Sequence, residues 1–132
     1  MKKSLLTLLL VTLCGSALAA EDWGLTTDFP DARKLEMNFS SLRIGTAEYK
    51  GGPTGCIVFY FPKGAIAAVD QRGGFSGTYL MGDGYVDAIC YAGGSLMGIE
   101  ASAGVAKGLF ERRESVSWFE IPVVRGAIIY DF

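Results

Sequence analysis

Over most of this chain apolar residues fall in short runs bounded by glycine and proline, the pattern of a sheet-containing domain rather than of a helical bundle. Residues 56–61 (Cys-Ile-Val-Phe-Tyr-Phe) are β-branched and aromatic, as a buried strand requires. Pro62-Lys63-Gly64 then predicts a tight turn, and the small apolar stretch 65–69 is expected to pair back as a hairpin. Upstream, Leu42-Arg43-Ile44 alternates like a strand, and the Gly- and Pro-containing stretch 45–55 predicts a turn region. Glycines at 73, 74, 77, 82 and 84 mark a loop with several positive-φ positions or close backbone approaches. A further strand is expected over 86–92. Gly93-Gly94 break it, and Ser95 stands where it would cap a helix running to about Arg113. Leu96, Ile99, Ala103, Ala106 and Phe110 share one face of that helix at 3.6-residue spacing. Gly98, Gly104 and Gly108 each cost about 1 kcal/mol against alanine in a helix interior, which points to close packing on a sheet. Residues 116–121 and 127–130 are expected to be the last strands, separated by Pro122 and Gly126. The polar stretch 20–39 reads as an N-terminal arm with a short helical segment near 32–37.

The first nineteen residues change the picture of where the domain works. Lys2 and Lys3, an apolar core over 5–13 and the small residues Ala17-Leu18-Ala19 form the three parts of a secretory signal, with cleavage expected after Ala19. The apolar core is about half the ~20 residues needed to span a bilayer, so no membrane anchor is expected and the mature chain is assigned to the periplasm. A lipoprotein reading of Cys14 is disfavoured because Leu13 is large where a small residue normally precedes a lipidated cysteine. The formal charge of the whole chain is −2, with no basic cluster. Nucleic acid and anionic membrane surfaces are therefore excluded as expected partners. Arg112-Arg113, flanked by Glu111 and Glu114, reads as a solvated helix end.

The chain contains no histidine, which excludes a self-contained Ser-His-Asp or Cys-His site and the usual histidine-bearing zinc sites. Gly93-Gly94-Ser95-Leu96-Met97 approaches a nucleophile elbow, but that motif needs glycine where Met97 stands; Ser95 reads as a cap before it reads as a nucleophile. There is no GxxxxGK[ST], and the stretch from Gly82 to Asp87 fails GxGxxG at its last position. A Gly-Gly-Ser turn before a helix nevertheless exposes backbone N–H groups that suit a substrate carboxylate or an oxyanion. Asp70, Asp83 and Asp87 match no calcium loop, and Asp70 is expected to pair structurally with Arg72. No metal or cofactor is expected. Cys56 and Cys90 lie within apolar strand-like runs, where a free cysteine behaves as a small buried hydrophobe, although pairing stays open in an oxidising compartment.

Several segments, in order and with compatible spacing, carry a resemblance. They are Gly55-Cys56-Ile57-Val58, the run from Ala67 to Gly74, Gly77-Thr78, Val86-Asp87-Ala88-Ile89, Ala92-Gly93-Gly94-Ser95, Gly98-Ile99-Glu100-Ala101 and Ile121-Pro122-Val123-Val124. Together they resemble the P1 (S58) peptidases, a family of L-aminopeptidase/D-amino-acid esterases, β-peptidyl aminopeptidases and nylon-oligomer hydrolases. The match runs from about Leu42 to Phe132. It implies an α+β fold, an αββα sandwich of the N-terminal-nucleophile-hydrolase kind, of which residues 40–132 form the N-terminal part. It also implies a precursor that cuts itself before a Ser or Thr, whose freed α-amine then serves as base for its own hydroxyl. That would explain amide hydrolysis without histidine.

The family's cleavage site lies downstream of the matched segment, so the chain alone is expected to be inactive and to need a missing C-terminal half or β-chain. Its substrate would be a peptide or aminoacyl amide, and the complete enzyme a homo-oligomer. By position in the family pattern, Gly93, Gly94 and Ser95 fall at the substrate pocket and Tyr130 at the catalytic centre. The departures are Ile44-Gly45-Thr46 where the family has Val-Gly-His, Gln71 where valine precedes Arg-Gly-Gly, and Phe75-Ser76 in place of a small residue and proline. The alternative function is a non-catalytic binding or interaction module that retains the scaffold.

Overall fold

The computed structural model describes residues 25–34, 36–52, 54–73, 77–113, 117 and 120–131. The expected signal segment lies outside the described residues. Six strands form one mixed sheet: β1 (Leu25–Thr26), β2 (Arg43–Tyr49), β3 (Gly55–Ala67), β4 (Thr78–Tyr79), β5 (Gly84–Ala92) and β6 (Val124–Ile128), in the order β1-β2-β3-β5-β6-β4. Among the described strands only β5 and β6 pair in parallel. A short 3₁₀ turn (Ser95–Gly98) and helix α1 (Ile99–Glu111) join them as a crossover across one face.

The expected hairpin over 56–69 is instead a single strand. β3 runs 13 residues, pairing with β5 from Cys56↔Ala92 to Tyr60↔Ala88 and again from Ala65↔Val86 to Ala67↔Gly84. Pro62-Lys63-Gly64 falls in the register shift between Tyr60 and Ala65, so the turn residues make a bulge that β5 templates on both sides. Gly64 is left-handed there (φ 69°), and the Tyr85 ring lies where a side chain would project.

The segment 45–49, read as turn, completes β2, whose pairing with β3 extends from Arg43↔Tyr60 to Glu48↔Gly55. Leu25 and Thr26 of the expected arm pair antiparallel with Tyr49 and Glu48, and the described residues of 32–37 are not helical. The last strand begins at Val124 rather than Ala127, because parallel pairing with β5 (Ala88↔Val124 through Ala92↔Ile128) sets its register. Of the strand expected over 116–121, Ser117, Glu120 and Ile121 are described and none is in a strand.

One layer of helix covers one face of the sheet. Ala88, Cys90, Ala92 and Val124 form the core, joined by Cys56, Val58 and Tyr60 from β3 and by Ala101, Val105, Ala106 and Leu109 from α1. Full burial of Val124 is worth about 1.5–3 kcal/mol. The helix face is therefore rotated from the one expected: Leu96 and Ala103 are exposed, whereas Ser102 is buried. A small side chain is needed at 102 because a Cβ on Gly126 would overlap the Ser102 hydroxyl, so helix and sheet touch almost backbone to backbone. Among the three helix glycines only Gly98 makes such an approach, against the Gly93 carbonyl; Gly104 and Gly108 face open space.

The opposite sheet face carries Ile57, Phe59, Ile89, Tyr91, Ala127 and Ile129. Phe59 and Tyr91 pack edge to face with centroids 6.2 Å apart. Much of this apolar face is open, with Ile44 41%, Tyr91 45% and Ile129 57% exposed. The described residues thus make a mixed α+β unit of one sheet and one helix.

Candidate functional site

Because β5 and β6 are parallel, their C-terminal ends lie side by side, the edge at which open α/β sheets gather ligands. Three segments meet there: Thr54 entering β3, Gly93-Gly94-Ser95 leaving β5, and Ile129-Tyr130-Asp131 leaving β6. The glycine turn is held by backbone bonds, Gly93 N–H to the Gly55 carbonyl (2.8 Å) and Ser95 N–H to that of Ile129 (3.2 Å). Gly94 and Ser95 are both left-handed (φ 90° and 50°), which turns their N–H groups toward one point.

Asp131 occupies that point. Its Oδ1 accepts from Gly94 N–H at 2.8 Å and from Ser95 N–H at 3.3 Å, and its Oδ2 accepts from the Thr54 hydroxyl at 3.1 Å. The Gly94 N–H holds the Asp131 carboxyl below the usual carboxylate range; burial opposes it, and the Thr54 hydroxyl and Ser95 N–H assist. Ser95 therefore opens the 3₁₀ turn instead of capping a helix, and the carboxylate that serves the cap comes from 36 residues downstream. Gly93 is glycine for a steric reason, since a Cβ there would run into the Asp131 carboxylate and the Thr54 hydroxyl.

Of the residues singled out in the sequence, Gly93, Gly94 and Ser95 are brought together around Asp131. Tyr130 is exposed, and its ring lies toward Gly77.

Two cavities flank this edge. One, of about 440 Å³, lies over the open sheet face and is lined by Glu48, Thr54, Ile57, Tyr91, Ile129 and Asp131. The other, of about 600 Å³, lies between sheet and helix beside Tyr49, Met97, Ala101 and Val105. Cys56 borders both. On adjacent strands, Cys56 and Cys90 sit diagonally on the helix face, and both are free thiols. The Cys90 thiol donates toward Cys56 and draws its thiol down to about 6, with burial opposing and the Ala47 backbone assisting. Cys90, fully buried, is pushed the other way, first by Cys56 and then by desolvation.

The remaining acidic candidates are structural. Asp70 pairs with Arg72 at 2.6 Å on the surface, as expected, and Asp83 Oδ1 accepts from Val69 N–H at 2.8 Å. Asp87 is buried and accepts from Arg113 (2.9 Å), the Tyr85 hydroxyl (2.9 Å) and Val123 N–H (2.8 Å). Arg113 is therefore no solvated helix end; it also donates to the Glu120 carbonyl and ties the end of α1 to the approach of β6.

The fold makes three residues prominent that have no site assignment in the sequence: Asp131, Arg125 and Cys56, the last expected to be a small buried hydrophobe. Arg125 had a usable signal, a lone cation inside the apolar stretch 123–129. Asp131 had almost none, because its partners come from β3 and β5.

No family model matches the chain. Over 99 residues it is 46% identical to the 6-aminohexanoate-oligomer endohydrolase of Paenarthrobacter ureafaciens, an overlap covering 74% of this chain and 28% of that protein. The 6-aminohexanoate-oligomer endohydrolase of a Kocuria species matches equally, and an uncharacterized aminopeptidase of Mycobacterium bovis is 39% identical over 90 residues, 26% of its length. These relatives are hydrolases. The chain spans little more than a quarter of the relatives it matches (28% of the first).

Proposed function

We propose that this chain is the N-terminal scaffold portion of an exported, self-processing aminopeptidase or amidohydrolase of the P1 type, cleaving the amide after an N-terminal amino acid. The observation that carries the reading is the 46% identity to oligomer endohydrolases across 74% of the chain. The P1 mechanism takes its general base from the freed α-amine of an N-terminal Ser or Thr. In this reading the nucleophile comes from polypeptide beyond the matched segment. The part described here contributes the strand ends, with Gly93, Gly94 and Ser95 organised around Asp131 and Tyr130 beside them. The open apolar face gives a second layer of the sandwich something to cover. The leader at residues 1–19 supports export to the periplasm.

The secreted chain, purified and incubated with aminoacyl p-nitroanilides and with linear 6-aminohexanoate oligomers, is expected to release no amine above a mock preparation. Intact masses and N-terminal sequences of material recovered from the periplasm are expected to show a second chain beginning with Ser or Thr. Turnover by this chain alone would overturn the scaffold assignment. A lone species without such a companion would favour the binding module instead.

A further inference from the structure

Arg125 lies near the start of β6, opposite Ile89 of β5 and on the face away from α1, and is only 8% exposed. Among the described residues its Nε has no hydrogen-bond partner, and its one hydrogen bond is a long one, from Nη2 to the Tyr85 carbonyl at 3.4 Å. None of the ion pairs formed by the described residues includes it. The two carboxylates of the surrounding loops are engaged elsewhere, Asp70 by Arg72 and Asp83 by the Val69 amide. Burying a guanidinium whose Nε–H has no partner and whose one hydrogen bond is long is unfavourable unless an anion meets it.

The space for that anion is present. A cavity of about 360 Å³ opens over Arg125, with Met81, Ile89 and Ala127 supplying apolar wall and Gln71, Thr78 and the Arg72-paired Asp70 supplying polar edge. Gly82 and Gly84, both at positive φ (143° and 119°), bring the covering loop close to the guanidinium; a Cβ at Gly82 would stand 3.6 Å from Nη1.

We propose that Arg125 and this cavity form a carboxylate-binding site whose ligand is a monocarboxylate on a short apolar chain. A planar guanidinium matches a carboxylate with two parallel hydrogen bonds, and the apolar wall suits methylene groups more than it suits phosphate or a nucleotide. The cation and the cavity stand independently of the hydrolase reading; only the length chosen for the probe chain rests on it, since linear oligomers of an ω-amino acid end in such a carboxylate.

The test follows the side-chain Nε–H resonances of the full chain labelled with ¹⁵N-arginine, the Arg125 signal being identified by its loss in Arg125→Met. Sodium hexanoate and 6-aminohexanoate are expected to shift that signal saturably, and hexylamine or sodium chloride at equal ionic strength are not. Arg125→Lys, which keeps the charge and loses the fork, is expected to weaken binding at least tenfold as read from backbone amides lining the cavity. The proposal is overturned if the Arg125 signal does not move, if chloride moves it equally, or if Arg125→Lys binds as well as the parent. Because the readout needs no turnover, an inactive chain that binds hexanoate leaves this site standing, and an active one that does not bind it removes this site alone.

Discussion

The ion pair between Asp87 and Arg113 offers the sharpest test of how the end of α1 is held against the start of β6. Asp87 has a side chain only 7% exposed, while that of Arg113 is 34% exposed. The carboxylate takes three hydrogen bonds, and one of them, from Val123 N–H, fixes the residue just before β6. Hydrogen bonds to a charged group are worth about 1.5–3 kcal/mol each, and removing one partner of a buried pair costs about 3–5 kcal/mol. Partial exposure of Arg113 lets water take over part of its solvation, so Asp87→Ala is expected to cost about 3 kcal/mol. Arg113→Met should cost about 2 kcal/mol, since Asp87 keeps Tyr85 and Val123. The double variant should lose about 1–2 kcal/mol less than the sum, the coupling between the charges themselves. Urea unfolding followed by far-ultraviolet circular dichroism measures all four corners of this cycle, provided the slope stays constant. A coupling below about 0.5 kcal/mol would refute the view that this pair, rather than the apolar crossover alone, docks the end of α1 onto β6.

Gly126→Ala is expected to destabilise the chain by about 1–3 kcal/mol through overlap with Ser102, and Ser102→Ala to recover part of that loss in the double variant, again by urea unfolding. Alkylation of Cys56 by iodoacetamide should rise with pH through a midpoint about 6, and Cys90→Ala should return the midpoint to the ordinary thiol range; a wild-type midpoint already in that range refutes the pairing. Since folding lowers this pKa, the thiolate's stabilising contribution is complete above the unfolded thiol's pKa and is lost as pH falls through about 6. Asp131 is likewise depressed, so hydrogen-exchange protection of the Gly94 and Ser95 amides should hold above the ordinary aspartate pKa and fade as pH falls through the lower folded value; Asp131→Asn should abolish that dependence.

What could be read from the sequence was what local chemistry decides. The run 86–92 is apolar and ends at two glycines, so β5 and the turn at its end were legible, as were the positive-φ glycines of the 71–84 loop at 73, 77, 82 and 84. The Pro-Lys-Gly triplet at 62–64 misled because turn preference is local, whereas β5 offers pairing partners on both sides of it. The helix face was misassigned for a related reason. Apolar spacing selects large side chains, but the contact is set by Gly126, which draws the small Ser102 inward and turns Leu96 out. Asp131 carries no local signal, because its three donors lie 36 to 77 positions away and only the parallel pairing of β6 with β5 brings them near.

That pairing also bears on what the Gly-Gly-Ser turn can do. An amide N–H bound to a carboxylate makes a bond roughly twice as strong as one to a neutral carbonyl, so a neutral substrate oxygen does not displace Asp131 from Gly94. A ligand that uses these donors has to be anionic itself or arrive where Asp131 is already protonated or drawn away. The turn's first consequence is therefore to orient Asp131, whose Oδ2 is held by the Thr54 hydroxyl at the border of the 440 Å³ cavity. Glu48 lines the same cavity, which is thus acidic and suits a protonated amine better than a carboxylate. Arg125, with its own cavity on the same sheet face, supplies the opposite charge.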